Sequence, residues 1–181
     1  MVKNKIRRFT LKPKILIPLD GSSFSRQVIN HVIKLFPASN CELVLLKVAS
    51  VPDELKNSLG QSKISGNWST VMNWVPSIGA KKQMDPDKSA YIERVWGGLK
   101  AEMVDNLAEI KDKLKDRGYE VTLAIRFGDA AEEIISYTSL NKIDLVAMST
   151  HGRLGFKRMI LSSIAERVLP NVNVPVMMLH P

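Results

Sequence analysis

Apolar residues along the chain follow two kinds of pattern, short runs and helical stripes, and the two kinds alternate. The short runs predict strands at 15–19, 41–48, 121–125, 143–148 and 174–179. The stripes predict helices at about 24–35, 101–117, 129–138 and 162–169. Strands that alternate with helices indicate a parallel sheet covered on both faces. We therefore expect an α/β protein with a doubly wound, five-stranded sheet.

Residues 50–98 interrupt this alternation. The segment contains all three tryptophans, among them Trp68 and Trp74, and five of the ten glycines. Loops of this length are uncommon in compact domains unless they bind something or are disordered. We interpret residues 14–181 as a single domain with an insert at about 50–98, whose last part returns to helix near Tyr91. The insert would serve as a lid or a partner surface.

The net charge of +8 is concentrated at the amino terminus. Residues 1–14 contain six basic residues and no acid, and the remainder has nearly balanced charge. A protein that grips a nucleic-acid backbone should spread its basic groups over the folded surface. We therefore interpret residues 1–13 as a basic tail, and nucleic acid is disfavoured as a partner.

Composition places further bounds on the protein. Cys41 is the one cysteine, which excludes an internal disulfide and any multi-cysteine metal site. No apolar run approaches the roughly 20 residues that span a bilayer, and the first residues lack the apolar core of a secretory signal. We expect a soluble, cytoplasmic protein with no membrane span.

Two loops carry residues suited to bind a ligand, and each follows a predicted strand. Residues 18–22 follow the first strand, and residues 148–155 follow the fourth. Gly152 lets the backbone approach an anion, and Arg153 adds positive charge beside it. A helix predicted to begin at Ser162 or Ser163 would offer free N–H donors. Residues alone leave open whether this is a phosphate site or an ordinary capped turn.

Three segments resemble the universal stress protein family. They are residues 14–22, residues 128–134, and residues 144–176 from the fourth strand into the fifth. The resemblance implies a fold like that of the adenine nucleotide alpha hydrolases, with strand order 3-2-1-4-5. It also implies a homodimer joined through the C-terminal strand.

The family's ATP-binding members share a pattern of Gly, two residues, Gly, nine residues, Gly, and Ser or Thr. The pattern falls here on Ser149, Gly152, Ser162 and Ser163, so serine replaces glycine at two positions. By the same resemblance, Pro18 and Asp20 contact the adenine end of the ligand, and Val48 and Met148 line the pocket around that end. Asp20 is alternatively a cap for the first helix. The implied cofactor is ATP, with or without Mg²⁺.

Three functional hypotheses follow from these observations. The first is a stress-response protein that binds ATP or a related adenine nucleotide and at most hydrolyses it slowly, without an assigned catalytic residue. The second is a stress protein of the same fold that binds no nucleotide and acts through dimerisation and partner contacts. The third, which the charge distribution disfavours, is an RNA- or DNA-associated protein that uses its basic tail. His151 has no partner base, acid or second histidine in sequence, so we interpret it as a packed loop residue.

Overall fold

A computed structural model of the chain describes residues 12–50, 86–150 and 163–180. The strands are β1 (Lys14–Pro18), β2 (Glu42–Ala49), β3 (Glu120–Phe127), β4 (Leu145–Ser149) and β5 (Val176–Leu179). The α-helices are α1 (Ser23–Leu35), α2 (Pro86–Asp116), α3 (Ala130–Leu140) and α4 (Ser163–Val168). Short 3₁₀ helices cover Ala38–Asn40 and Leu169–Asn171.

The strands form one parallel sheet in the order β3-β2-β1-β4-β5, as predicted. β1 lies at the centre, where Ile15 is in register with Leu43 of β2 and with Leu145 of β4. Parallel neighbours must be joined by crossover connections, and the helices provide them. The doubly wound, five-stranded architecture expected from the sequence is therefore confirmed.

Alternate residues of β1 contribute to two separate hydrophobic cores. Ile15 and Ile17 belong to the cluster that also contains residues of α1 and α2, whereas Leu16 belongs to the cluster with α3 and α4. All three side chains are fully buried. A strand covered on both faces has no polar face to present to water, which explains its continuous apolar run.

The buried face of α1 differs from the predicted stripe. The residues that it buries are Ser25, Val28, Ile29 and Val32. Leu35, which the sequence pattern placed in the stripe with Phe24, is 63% exposed because it lies at the last turn of the helix. Helical spacing alone does not say where a helix leaves its core, so this part of the prediction was wrong.

Helix α2 begins at Pro86, so the last part of the predicted insert is helical. Met103, Leu107 and Leu114 are buried, as the amphipathic pattern predicts. Residues 51–85, which hold Trp68 and Trp74, lie outside the described residues. The lid or partner role of the insert therefore stays a prediction.

Two residues of the basic amino-terminal region form ion pairs with the sheet. The ammonium of Lys12 donates to Oε1 of Glu120 at 2.5 Å, and the Lys14 ammonium lies 3.8 Å from Oε2 of Glu42. The hydrogen bond with Glu120 raises the pKa of Lys12. Part of the local positive charge is thus offset, while residues 1–11 lie outside the described residues.

Across the described ranges, no helix combines the length and the apolar character needed to cross a membrane.

We expect Leu45→Ala to lower the free energy of unfolding by about 2–5 kcal/mol, because it leaves a cavity in a close-packed core. Leu45 is fully buried in the middle of β2, whereas Leu140 at the end of α3 is 75% exposed. Leu140→Ala is the matched control and should change the free energy by no more than about 0.5 kcal/mol. Urea unfolding measures both, and equal losses would contradict the assigned packing.

Candidate functional site

A cleft opens at the carboxyl ends of β1, β2 and β4. The space between its walls, counting the open mouth, is about 590 Å³. Its walls are formed by Pro18, Leu19, Asp20, Ser25, Leu46, Val48, Ala130, Ile134, Met148, Ser149 and Ile164.

The strand order explains why the cleft lies there. Helices α1 and α2 pack on one face of the sheet, and α3 and α4 pack on the other. The chain leaving β1 therefore turns toward one face, and the chain leaving β4 turns toward the other. In an open parallel sheet, such divergence leaves a crevice beyond the carboxyl ends of the strands.

Most of the cleft surface is apolar. Leu46 and Val48 are alternate residues of β2 and therefore point to the same side of the sheet. Met148 of β4 is buried, and the side chain of Ile164 adds to the wall from α4. Polar side chains come from Asp20, Ser25 and Ser149 only among the described lining residues. The cleft suits a ligand that is largely apolar and carries a few polar groups.

Five of the nine residues predicted from the sequence line this one cleft, namely Pro18, Asp20, Val48, Met148 and Ser149. Ser163 is the first residue of α4, as the capping pattern anticipated. Gly152, Arg153 and Ser162 lie outside the described residues. The assignment of all nine residues to a nucleotide remains a prediction.

Sequence reasoning missed the rest of the wall. The missed residues are Leu19, Ser25, Leu46, Ala130, Ile134 and Ile164. The period of two along β2 could have added Leu46 once Val48 was chosen, and helical spacing after Asp129 could have added Ala130 and Ile134. No comparable signal exists for Ser25, whose neighbours across the cleft are far away in sequence.

The turn after β1 is held by hydrogen bonds to β2 and to α1. The Lys47 ammonium donates to the backbone oxygen of Asp20, and the Leu19 N–H donates to the Leu46 oxygen at 2.8 Å. Oδ1 of Asp20 accepts the Ser22 N–H at 2.8 Å. Asp20 is therefore fixed at the cleft by contacts on both sides of the turn.

Ser22 is the residue that caps α1, not Asp20. Its hydroxyl oxygen accepts the Ser25 N–H at 3.0 Å, and its backbone oxygen accepts the Ser25 hydroxyl at 3.0 Å. Asp20 instead closes the local turn that precedes the helix. The alternative interpretation of Asp20 as the helix cap was wrong, because the chain needs Gly21 and Ser22 to change direction first.

An ion-pair cluster joins the amino-terminal part of α3 to α4 beside the cleft. Oδ1 of Asp129 caps α3 by accepting the Glu132 N–H at 3.0 Å, while Oδ2 accepts from Arg167 Nη1 at 2.8 Å. Arg167 Nη2 also lies 3.5 Å from Oε1 of Glu132. The hydrogen bond from Arg167 lowers the pKa of Asp129. The Asp129 carboxylate thus caps the amino terminus of α3 and also pairs with a side chain of α4.

Thr150 connects the end of β4 to the carboxyl-terminal strand. Its backbone N–H donates to the Leu179 oxygen at 2.9 Å, and its hydroxyl lies 2.9 Å from Nδ1 of His180. Thr150 is fully buried. These contacts fix the point at which the chain leaves the sheet toward Gly152.

Gly21→Ala should cost about 1–2 kcal/mol of stability, because Gly21 has φ +98° in a region that side chains rarely adopt. An added Cβ would also lie 3.1 Å from Nζ of Lys47. Gly97→Ala in helix α2 is the control, since a Cβ there would meet nothing within 4 Å. It should gain about 0.5–1 kcal/mol from helix propensity. Thermal unfolding measures the stability of both variants. A Gly21→Ala variant as stable as the wild-type protein would contradict the positive φ assigned to Gly21.

We expect Arg167→Met to raise the titration midpoint of the Asp129 carboxyl toward its ordinary value of 3.8. The pKa of Asp129 in the folded state is depressed. The Arg167–Asp129 pair therefore stabilises the fold fully above the ordinary pKa of 3.8, and this stabilisation is lost as the pH falls through the folded-state pKa. Carbon-detected NMR titration reads the midpoint directly. Lys113→Met, which removes the partner of Glu109 on α2, should leave the Asp129 midpoint unchanged. An Asp129 midpoint that is insensitive to Arg167→Met would contradict the pairing.

Residues 79–180 match the sequence profile of the Universal stress protein family. The chain is 27% identical over 167 residues to universal stress protein MJ0531 from Methanocaldococcus jannaschii, which covers 92% of this chain and 81% of that protein. It is also 27% identical over 164 residues to MJ0577 from the same organism, covering 91% of this chain and 92% of the relative.

Solved structures share the fold at lower identity. The structure of MJ0577 superposes with a TM-score of 0.64 at 24% identity, covering 93% of this chain and 96% of that chain. A universal stress protein in complex with cAMP gives 0.56 at 14% identity, with 93% and 97% covered. An Arabidopsis thaliana family protein with AMP bound gives 0.57 at 14% identity, with 93% and 91% covered. With more than half of its length matched by the family profile, the chain belongs to the universal stress protein family.

Proposed function

We propose that the cleft binds ATP or a related adenine nucleotide and that the protein is a nucleotide-binding stress-response factor. The observation that carries the proposal is the cleft itself. Two segments that are distant in sequence, 18–20 and 148–149, converge with Val48 on an apolar pocket at the carboxyl ends of the strands. An adenine ring is flat, largely apolar on its faces and polar at its edge, which fits such a wall.

In this proposal the base lies between Val48 and Met148, with Pro18 and Asp20 at the adenine end. The phosphates extend toward the loop after β4, where Ser149, Gly152, Ser162 and Ser163 occupy the positions of the family's nucleotide pattern, with serine in place of glycine at 149 and 162. Arg153 adds positive charge beside them. The related structures whose ligands are cAMP and AMP support an adenine nucleotide as the class of ligand.

ATP would bring Mg²⁺ through its phosphates rather than to a protein site among the described residues. Within that part of the chain, no group of three or more His, Cys, Asp or Glu side chains is placed to hold a metal ion. Magnesium commonly binds through one or two carboxylates together with substrate phosphates and water. In this proposal the phosphates of the nucleotide supply ligands for Mg²⁺.

The role that we propose is binding rather than turnover, with hydrolysis at most slow. We place the protein in the cytoplasm as a homodimer joined through β5. This strand forms one edge of the sheet, and its four residues Val176–Leu179 are half-buried apolar side chains. An apolar edge strand has unpaired backbone groups that a second copy can satisfy.

Mass spectrometry of ligand released from the purified protein tests the proposal most directly. We expect an adenine nucleotide in the released fraction, and calorimetric binding of ATP or AMP by the stripped protein. If neither is observed, the nucleotide proposal is overturned, and the alternative of a stress protein that acts through dimerisation and partner contacts takes its place.

Gly152→Val should weaken nucleotide binding about tenfold or more, because a branched side chain would occupy the space proposed for phosphate. Gly98→Val on helix α2 is the matched control, since a Cβ at Gly98 would meet nothing within 4 Å. Isothermal titration calorimetry measures both affinities, and circular dichroism checks that the variants are folded. Unchanged affinity in folded Gly152→Val would contradict the phosphate-loop assignment.

A further inference from the structure

β3 forms one edge of the sheet and lacks the features that usually protect an edge strand. It has 8 residues, stays in register with β2 along its whole length, and contains no proline or glycine. Soluble proteins commonly blunt such an edge with a bulge, a proline, a lysine or a very short strand. Val121, Leu123 and Ile125 are instead apolar and only half-buried against the core. A regular, apolar edge of this length is suited to pair with another strand.

The backbone of β3 presents hydrogen-bonding groups outward at every second residue. The Gly128 N–H donates to the Ala49 oxygen at 2.9 Å, so the even-numbered residues of β3 direct their backbone groups toward β2. Because these groups alternate in direction along a strand, Val121, Leu123 and Ile125 direct theirs away from the sheet. Among the described residues, no hydrogen bond reaches these outward groups.

A second copy of β3, running antiparallel, would match the outward groups about a two-fold axis at Leu123. Leu123 would lie opposite its own copy, and Val121 opposite Ile125, all in hydrogen-bonded positions. In the same register Glu120 would lie opposite Arg126, in the positions where paired side chains come closest. Of the registers that join the outward groups, this one sets the two opposite charges against each other, and the two-fold axis repeats the contact.

Glu120 and Arg126 both have hydrogen-bonding capacity left for this contact. The side chain of Glu120 is 61% exposed, and Lys12 uses only its Oε1 among the described residues. The Arg126 guanidinium lies over the Tyr137 ring, 5.1 Å from its centre. No hydrogen bond in the described part of the chain uses the N–H groups of Arg126. Those donors lie in the guanidinium plane and match the oxygens of a carboxylate.

We propose that β3 is a self-association surface, on which two copies of the chain pair antiparallel about Leu123 and join their sheets. The occupant is a second copy because the edge is complementary to itself, with an acidic and a basic residue at equal distances from its centre. β5 lies at the opposite edge of the sheet, so this contact is compatible with the β5 dimer proposed above. The inference does not depend on the nucleotide, since the cleft lies at the carboxyl ends of β1, β2 and β4.

Exchange of the two charges tests the pairing, with sedimentation equilibrium as the measure of self-association. Glu120→Arg sets arginine against arginine at both ends of the contact and should weaken the association step at β3 about tenfold or more. Arg126→Glu should weaken it similarly. The double variant restores opposite charges and should associate about tenfold more tightly than either single variant. Circular dichroism checks that each variant is folded.

Lys34→Glu is the matched control for charge reversal. Lys34 is exposed in the last turn of α1, a helix that packs against β1 and β4, so its reversal should leave self-association unchanged. Hydrogen exchange locates the contact in the wild-type protein. The amides of Leu123 and its outward neighbours should exchange more slowly in concentrated than in dilute protein, and Glu120→Arg should remove that difference.

Three results would overturn the inference. They are a wild-type chain with no association step sensitive to Glu120→Arg, association without protection of the β3 amides, and a double variant as weak as the single variants. Failure to bind a nucleotide would overturn the proposed function and leave this inference intact.

Discussion

Parallel pairing of β1 with both β2 and β4 is the constraint on which the rest of the structure depends. It places β1 at the centre of the sheet, where Ile15, Leu16 and Ile17 are buried from both faces. With this strand order, α1 and α2 lie on one face of the sheet, and α3 and α4 lie on the other. The cleft is the space between the chain that leaves β1 toward one face and the chain that leaves β4 toward the other. Its position therefore follows from the strand order alone.

Polar contacts then give this space a definite shape. Lys47 holds the turn after β1 through the backbone of Asp20, and Asp129 with Arg167 ties α3 to α4. Thr150 fixes the end of β4 against the carboxyl-terminal strand. Each contact joins segments that are distant in sequence at the rim of the cleft. The apolar cores stabilise the sheet, whereas these contacts determine where the loops begin that would surround a nucleotide.

The adenine nucleotide that we propose as ligand depends on the apolar cleft, and the chain's departures from the family pattern bear on that proposal. Glycine is the family's residue at the position of Ser149, yet the extended strand there does not require it. The serine is therefore compatible with the backbone path at that position. A departure in a motif therefore does not by itself argue against binding, because its effect depends on the local backbone.

The order of elements, the buried strands and five cleft residues could be predicted from the sequence, because apolar periodicity and family motifs are local signals. The same signals were wrong about the helix cap and about Leu35, since both depend on where a chain turns in space. Tertiary structure alone decided that Ser25 and Ile164 join the cleft wall. Those facts depend on which distant segments meet, and no local pattern records that.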